Sequence, residues 1–345
     1  MRYLMLLIIM LLLILSKKDT KRKKIYIFSS MIILILYSTF RNYIGFDVCV
    51  GNDYNSYVNM FNNIENSKIF NSGFAFNMLL LILKALTNNF ISVTFFTSTL
   101  LICSVYFVST KVFDGDNDYI WSIFIFISFG IYDLSMSAIR QWIAGSLFLI
   151  SFKYIKEKKL TKYILLILLA SSFHTSAIFL LLVYPFVNMK CSKKKKVIIT
   201  IIATMVLFVI LQNRLELYII SLIDYSYYIR YINLLDLPKS NFTCFIISLF
   251  YLMAVFYFYK KGLNKKKYIN LKIDYLLMFC CLSLASTQSP FCNRFMQYFM
   301  PALMFITPDL IAMIYNNEKN NKLVYKYRYL LTVGVVVFFL LIYIM

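Results

Sequence analysis

The chain has 345 residues, 61% of them hydrophobic and 18% aromatic, and a formal net charge of +21. So much apolar side chain cannot be hidden inside a water-soluble domain, which excludes that class. The charge does not mark a nucleic-acid binder either: 25 of the 36 Lys and Arg sit in five clusters (17–24, 153–162, 190–196, 260–267 and 319–328), each between apolar runs, and short basic loops of this kind mark the cytoplasmic side of a membrane protein.

About a dozen apolar runs of roughly 15–20 residues, the length that crosses a bilayer core as a helix, predict an all-α polytopic protein of about 12 transmembrane helices. No Ser/Gly-rich or Pro-rich linker divides them, so residues 1–345 read as one membrane domain. The seven cysteines are scattered, without a CxxC pair or a Cys/His cluster. No metal site and no cofactor is expected.

The first run, Arg2 to Leu15, reads as a retained helix with its N-terminus outside. It lacks a small-residue cleavage site, and its basic cluster follows rather than precedes it. Placing the five clusters inside fixes the rest. The run 25–40 leads outward to an external loop at 41–72, the longest polar stretch. There Asn52 is predicted as an N-cap and Asp53 as part of the first helical turn. Asp53, Tyr57 and Phe61 are spaced by four and share one helix face. A carboxylate, a phenol and aromatic rings together suit a sugar, although an amphipathic helix with tyrosines anchored at the membrane interface has the same pattern.

Four runs, 73–86, 91–110, 119–133 and 138–155, separate that external loop from the internal cluster 153–162. An odd number of crossings is required, so 73–86, the shortest, is predicted to be re-entrant or interfacial. Arg140 then lies near the outer end of an inward helix. The segment 161–189 has lysines at both ends and must turn back, which puts His174 at the tip of a tight helical hairpin. The helix 197–212 leads to a second external loop at 213–240, and 241–259 returns. The helix 272–288 runs out again, Arg294 opens an inward helix 294–315, and 329–345 runs outward.

Arg140, His174 and Arg294 each interrupt an apolar run, and His174 is the only histidine. An ionisable group at bilayer depth is costly, so it signals function by default. A snorkelling arginine and a structural histidine are the ordinary alternatives. The common outer location of all three residues, with the loop 41–72, weighs against them.

These residues recur in an ordered pattern. Arg41 and Gly45 are followed by Gly51, Asp53, Tyr54, Tyr57 and Phe61, then by Gly73 and Phe74. Ile139, Arg140, Gln141 and Ala144 come next, then Ala170, Phe173, His174, Ser176 and Ala177, and finally Arg294, Phe295, Tyr298 and Phe299. The series resembles the EpsG-type, Wzy-like membrane polymerases of bacterial capsule, exopolysaccharide and O-antigen chains. Two features depart from the family pattern. An acidic residue often precedes the Gly-Phe pair, where this chain has Asn71 and Ser72 and its nearest acid is Glu65. Extra residues between Gly45 and Gly51 leave both Asp47 and Asp53 as candidates for the family's acidic role.

The resemblance implies a GT-C-like membrane glycosyltransferase in the bacterial cytoplasmic membrane, with its site facing outward. Its substrates would be oligosaccharide repeat units on undecaprenyl pyrophosphate. Membrane lipid, a chain-length regulator and a flippase are the implied partners, and no nucleic acid is among them. Such a transfer needs cations for the departing pyrophosphate and a base for the acceptor hydroxyl. Arg140 and Arg294 are the candidate cations, with Arg41 third, because a guanidinium binds phosphate oxygens in pairs and stays charged. His174 is the candidate base and Asp53 its alternative. Asp47, Tyr54, Tyr57, Gln141, Gln297 and Tyr298 are the candidate substrate-binding groups. A flippase for lipid-linked oligosaccharide would also need cations facing a cavity. A membrane acyltransferase would also use a histidine, but near the cytoplasmic face.

Overall fold

The computed structural model describes residues 8, 9, 11, 12, 15, 21–41, 53–66, 73–113, 118–212, 242–266 and 268–317. Every regular element among them is a helix, as expected for an all-α chain. A helix satisfies its own backbone hydrogen bonds, which hydrocarbon cannot do for it. The chain divides after Asn188 into two units.

In the first unit, α1 (Lys23–Thr39) is followed by α2 (Tyr54–Asn62), α3 (Phe74–Thr87), α4 (Ile91–Phe107) and α5 (Asp118–Ser128). Then come α6 (Ile131–Ser137), α7 (Ile139–Lys156), α8 (Leu160–Phe173) and α9 (Val183–Asn188). A π-helical turn, Val108–Val112, prolongs α4, and a 3₁₀ stretch, Thr175–Leu182, links α8 to α9. Both α1 and α7 pack on α4, and α8 lies along α7. Hydroxyls tie α1 to its neighbours. Ser98 donates to Ser38 Oγ at 2.7 Å, Thr94 to the Thr39 carbonyl at 3.1 Å, and Tyr132 to the Leu34 carbonyl at 2.5 Å. Each bond satisfies a buried hydroxyl and joins two helices at once.

The run 119–133, predicted as one span, is cut in two. Gly130 adopts a left-handed φ of 68° and separates α5 from α6, a conformation open to glycine without steric cost. The predicted hairpin in 161–189 is present. On α8 the Tyr163 hydroxyl donates to the Leu180 carbonyl at 2.5 Å, and its ring packs on Tyr184 at 5.3 Å. These pairings fold the two arms together about His174.

The second unit contains α10 (Lys193–Gln212), α11 (Phe242–Lys260), α12 (Ile269–Ala285), α13 (Pro290–Gln297) and α14 (Ala302–Asn317). At its centre is α12, which packs against the other four. The inward helix expected at 294–315 is a correction. Pro290 starts a short helix earlier, and a turn at 298–301 interrupts the run before α14. Pro301 lacks an N–H, and its ring crowds the carbonyl four residues back, which favours a break there, although α14 itself accommodates Pro308. The lysine cluster 190–196 is also not wholly solvated. Lys193 and Lys196 reach the two oxygens of Asp274 at 2.6 and 2.8 Å, while Lys272 meets Asp309 at 2.7 Å. These ion pairs join α12 to α10 on one side and to α14 on the other.

Ile198, Ile202, Met205 and Val209 are exposed along one face of α10, and Ile246, Phe250, Met253 and Tyr257 along one face of α11. Contiguous apolar rows of this size belong against hydrocarbon rather than water. By length and composition, two helices among the described residues suffice to cross a membrane, Ile91–Val112 and Phe242–Lys260. Phe74–Thr87, Leu160–Phe173, Thr175–Asn188 and Ala302–Met313 are apolar but shorter. The predicted loop 213–240 and the predicted last span 329–345 lie outside the described residues, as does most of the first span.

Candidate functional site

In α2 the sequence YNSYVNMF repeats aromatic residues at helical spacing, and the helix buries Tyr54, Tyr57 and Phe61. Asn52 and Asp47 lie outside the described residues. Asp53 occupies the N-cap position, not the first turn, makes no side-chain capping bond and is exposed. The face predicted from Asp53, Tyr57 and Phe61 therefore keeps its rings, while its carboxylate lies at the solvent edge. Tyr54 and Phe61 meet Phe90 edge-on at 5.3 and 5.8 Å, and Tyr57 meets Phe76 at 5.7 Å. Beyond the end of α2, Lys84 lies 3.2 Å from Glu65 and donates to the Asn62 carbonyl at 2.8 Å. Glu65, the acid nearest the Gly-Phe pair, is thus paired with Lys84 at the surface.

Two guanidinium groups lie over this aromatic stripe. Arg41, just beyond α1, is only 2% exposed. Its Nη1 donates to the Ser38 carbonyl at 2.8 Å and its Nη2 to the Met136 carbonyl at 3.1 Å, while its guanidinium carbon sits 5.1 Å from the Tyr54 ring centroid. Burial lowers its pKa to about 10, so it remains a cation at neutral pH. Its fork binds backbone carbonyls at the ends of α1 and α6. The geometry gives Arg41 a structural task where a substrate contact was expected, and Tyr54 is its packing partner.

Arg140 is the second residue of α7 and is half-buried. Its guanidinium carbon lies 6.0 Å from the Tyr57 centroid and 5.9 Å from the Phe76 centroid. Burial raises the Tyr57 pKa, and Arg140 partly offsets this through its charge and a hydrogen bond. The phenol is therefore held neutral near physiological pH, in a form that can donate a hydrogen bond. Gln141 is buried beside Arg140.

His174 ends α8 in an extended conformation, φ −146° and ψ 111°. Its backbone is held on both sides: the N–H donates to the Ala170 carbonyl at 3.1 Å, and the carbonyl accepts from the Ala177 N–H at 2.9 Å. The residue itself is half-buried. Phe173 packs against the cluster that contains Tyr57, Phe76 and Ile139, so the start of α7 and the turn at His174 reach the same group of side chains. Gly73 permits this approach. It has φ 98° and ψ 109°, and a Cβ there would lie 2.9 Å from the Phe173 carbonyl oxygen and 3.4 Å from that of Ser172.

In the second unit, Arg294 is half-buried in α13. Tyr298 lies beyond the helix end, is 3% exposed, packs on Phe295 and accepts a hydrogen bond from the Tyr275 hydroxyl through its carbonyl. The predicted face shared by Arg294, Gln297 and Tyr298 is therefore partly used for packing. Gln297 stays within α13, with its Oε1 buried and without a protein partner.

The sequence reading missed Phe76 and Phe90, which receive the α2 stripe, because aromatic residues are common throughout the chain. It also missed the ion pairs of Asp274 and Asp309. Ionisable residues within apolar runs were the signal that drew attention to Arg140, and the same signal marks both aspartates. Among the described residues, no three His, Cys, Asp or Glu side chains are grouped to hold a metal ion.

No curated protein and no solved structure matches the chain. The EpsG family model matches residues 43–345. That match takes in Arg140, His174, Arg294 and the aromatic stripe of α2, and the chain belongs to the EpsG family, as a polymerase-like membrane protein of polysaccharide biosynthesis.

Proposed function

We propose that the protein polymerises polysaccharide at the outer face of the bacterial cytoplasmic membrane, joining repeat units carried on undecaprenyl pyrophosphate by glycosyl transfer. The observation that carries this reading is the convergence of the Arg140 helix start and the His174 turn on one aromatic cluster. In the transfer, an acceptor hydroxyl oxygen bonds to the anomeric carbon of the growing chain. The bond from that carbon to the pyrophosphate oxygen breaks, and the hydroxyl proton passes to a base. His174 is the proposed base, since a neutral imidazole nitrogen can accept the hydroxyl proton. Arg140 is the proposed counter-charge for the departing pyrophosphate, where a preplaced cation lowers the barrier most. Asp53, exposed at the start of α2, is the alternative base.

Arg294 is a further candidate for binding lipid-linked phosphate, with Gln297 three residues on. About twelve spans, a single membrane domain, an outward-facing site and association with a flippase and a chain-length regulator belong to the same proposal. The experiment uses purified protein in lipid nanodiscs with a defined undecaprenyl-pyrophosphate-linked repeat unit, followed by product sizing. Wild-type protein is expected to give a ladder of glycans, and Arg140→Lys and His174→Ala single units only. Ladders of normal length from both variants would remove the two residues from the mechanism.

A further inference from the structure

Tyr57 and Phe76 come from different helices, yet they meet at the same cation. Their centroids are 5.7 Å apart with ring planes at 71°, so they form two walls of a corner. The Arg140 guanidinium carbon lies about equally far from both, at 6.0 and 5.9 Å. Both rings are fixed: Tyr57 is 6% exposed and Phe76 is fully buried, and they share a cluster with Phe61, Leu80 and Ile143. The walls also resist sliding, because Lys84 fastens α2 to α3.

A ring face attracts a guanidinium through its quadrupole. It fixes the plane of the cation without neutralising its charge, as a carboxylate would. Arginine side chains have many rotamers, and ordering one before the ligand arrives removes that cost from binding. We infer that Tyr57 and Phe76 are positioning residues that hold the Arg140 guanidinium ready for the pyrophosphate of an undecaprenyl-linked ligand. The ligand class rests on the proposed polymerase reading; the corner rests on the distances.

The test is direct binding of undecaprenyl pyrophosphate to the full-length protein in nanodiscs, which needs no turnover. Phe76→Leu and Tyr57→Leu each remove one wall and are expected to weaken binding about tenfold, the scale of a desolvated cation–π contact. Tyr57→Phe keeps the wall and is expected to stay within about threefold of wild type, roughly the loss of one hydrogen bond. In an Arg140→Met background, Phe76→Leu is expected to add nothing further, because no cation is left for the wall to position. A purely packing role would make the two losses multiply. Unchanged binding in Phe76→Leu, multiplying losses in the double variant, or no binding by wild type would each overturn the inference. Binding that follows the expected pattern without a glycan ladder would sustain the corner and remove the polymerase reaction.

Discussion

Replacing Gly73 with alanine puts a methyl group where two separate constraints oppose it. The backbone at φ 98° and ψ 109° lies outside the allowed regions for L-residues, including the small left-handed helical well. Forcing a side chain there costs about 1–3 kcal/mol. The new Cβ would also lie 2.9 Å from the Phe173 carbonyl oxygen. That neighbour is backbone, held in place by the end of α8, so relief requires α3 and α8 to part by some tenths of an ångström. Crowding of this kind costs about another 1–3 kcal/mol.

The two effects together come to about 2–6 kcal/mol, and at about 2–4 °C per kcal/mol for a body of this size the melting temperature should fall by roughly 4–24 °C. Gly262 provides the control. It too has a positive φ, 116°, but a Cβ there would meet only the flexible end of Met313, at 3.7 Å. Gly262→Ala should therefore show the conformational cost alone. The assay is a thermal melt of both variants in nanodiscs, with glycan sizing beside it. Gly73→Ala should melt lower than Gly262→Ala and should lose polymer length, because the turn at His174 is what it displaces. Equal melting temperatures with full-length polymer would refute the claim that α3 and α8 meet closely enough to fix that turn.

Two further predictions concern buried charge. Asp309→Asn leaves the Lys272 ammonium, 2% exposed, without its counter-charge, and should cost about 3–5 kcal/mol in a thermal or denaturant melt. The paired change Lys272→Met with Asp309→Leu should recover most of that loss, since removing both charges removes the desolvation problem; a double variant as unstable as the single would argue against a paired origin. Arg41→Lys replaces a fork by a single ammonium, which cannot reach the Ser38 and Met136 carbonyls while also covering Tyr54. It should lower stability by about 1–3 kcal/mol, and an unchanged melting temperature would show that the tie between α1 and α6 contributes nothing.

Helix positions were legible because each follows from local patterning. Apolar runs near 25–40, 73–86, 91–110 and 241–259 became α1, α3, α4 and α11. The turn at His174 was legible from lysine clusters at both ends of the segment 161–189, which place both ends on the same side. Breaks within runs were harder to see. Gly130 and the turn at 298–301 cut helices that hydropathy alone would continue, because neither lowers an apolar average enough to show. The least legible layer was partner choice. The spacing of Tyr54, Tyr57 and Phe61 shows that they share a face, but not that the face docks onto Phe76 and Phe90, which lie in α3 and at the N-cap of α4.

The purpose of a buried cation is also invisible in sequence but readable from what faces it. Lys196 and Lys272 face carboxylates, so their charge is cancelled where it stands and serves cohesion. Arg41 and Arg140 lie over ring faces, which attract a cation without cancelling it. Arg41 then directs its fork to backbone carbonyls, and its charge is absorbed into the fold. Arg140 begins a helix at the half-buried edge of the same stripe, close to a histidine turn that Gly73 holds in register. Two arginines over one aromatic stripe thus divide into a structural tie and a candidate anion binder. The division follows from depth: Arg41 is 2% exposed and out of reach of a ligand, whereas Arg140 is only half-buried, where an incoming phosphate can meet it.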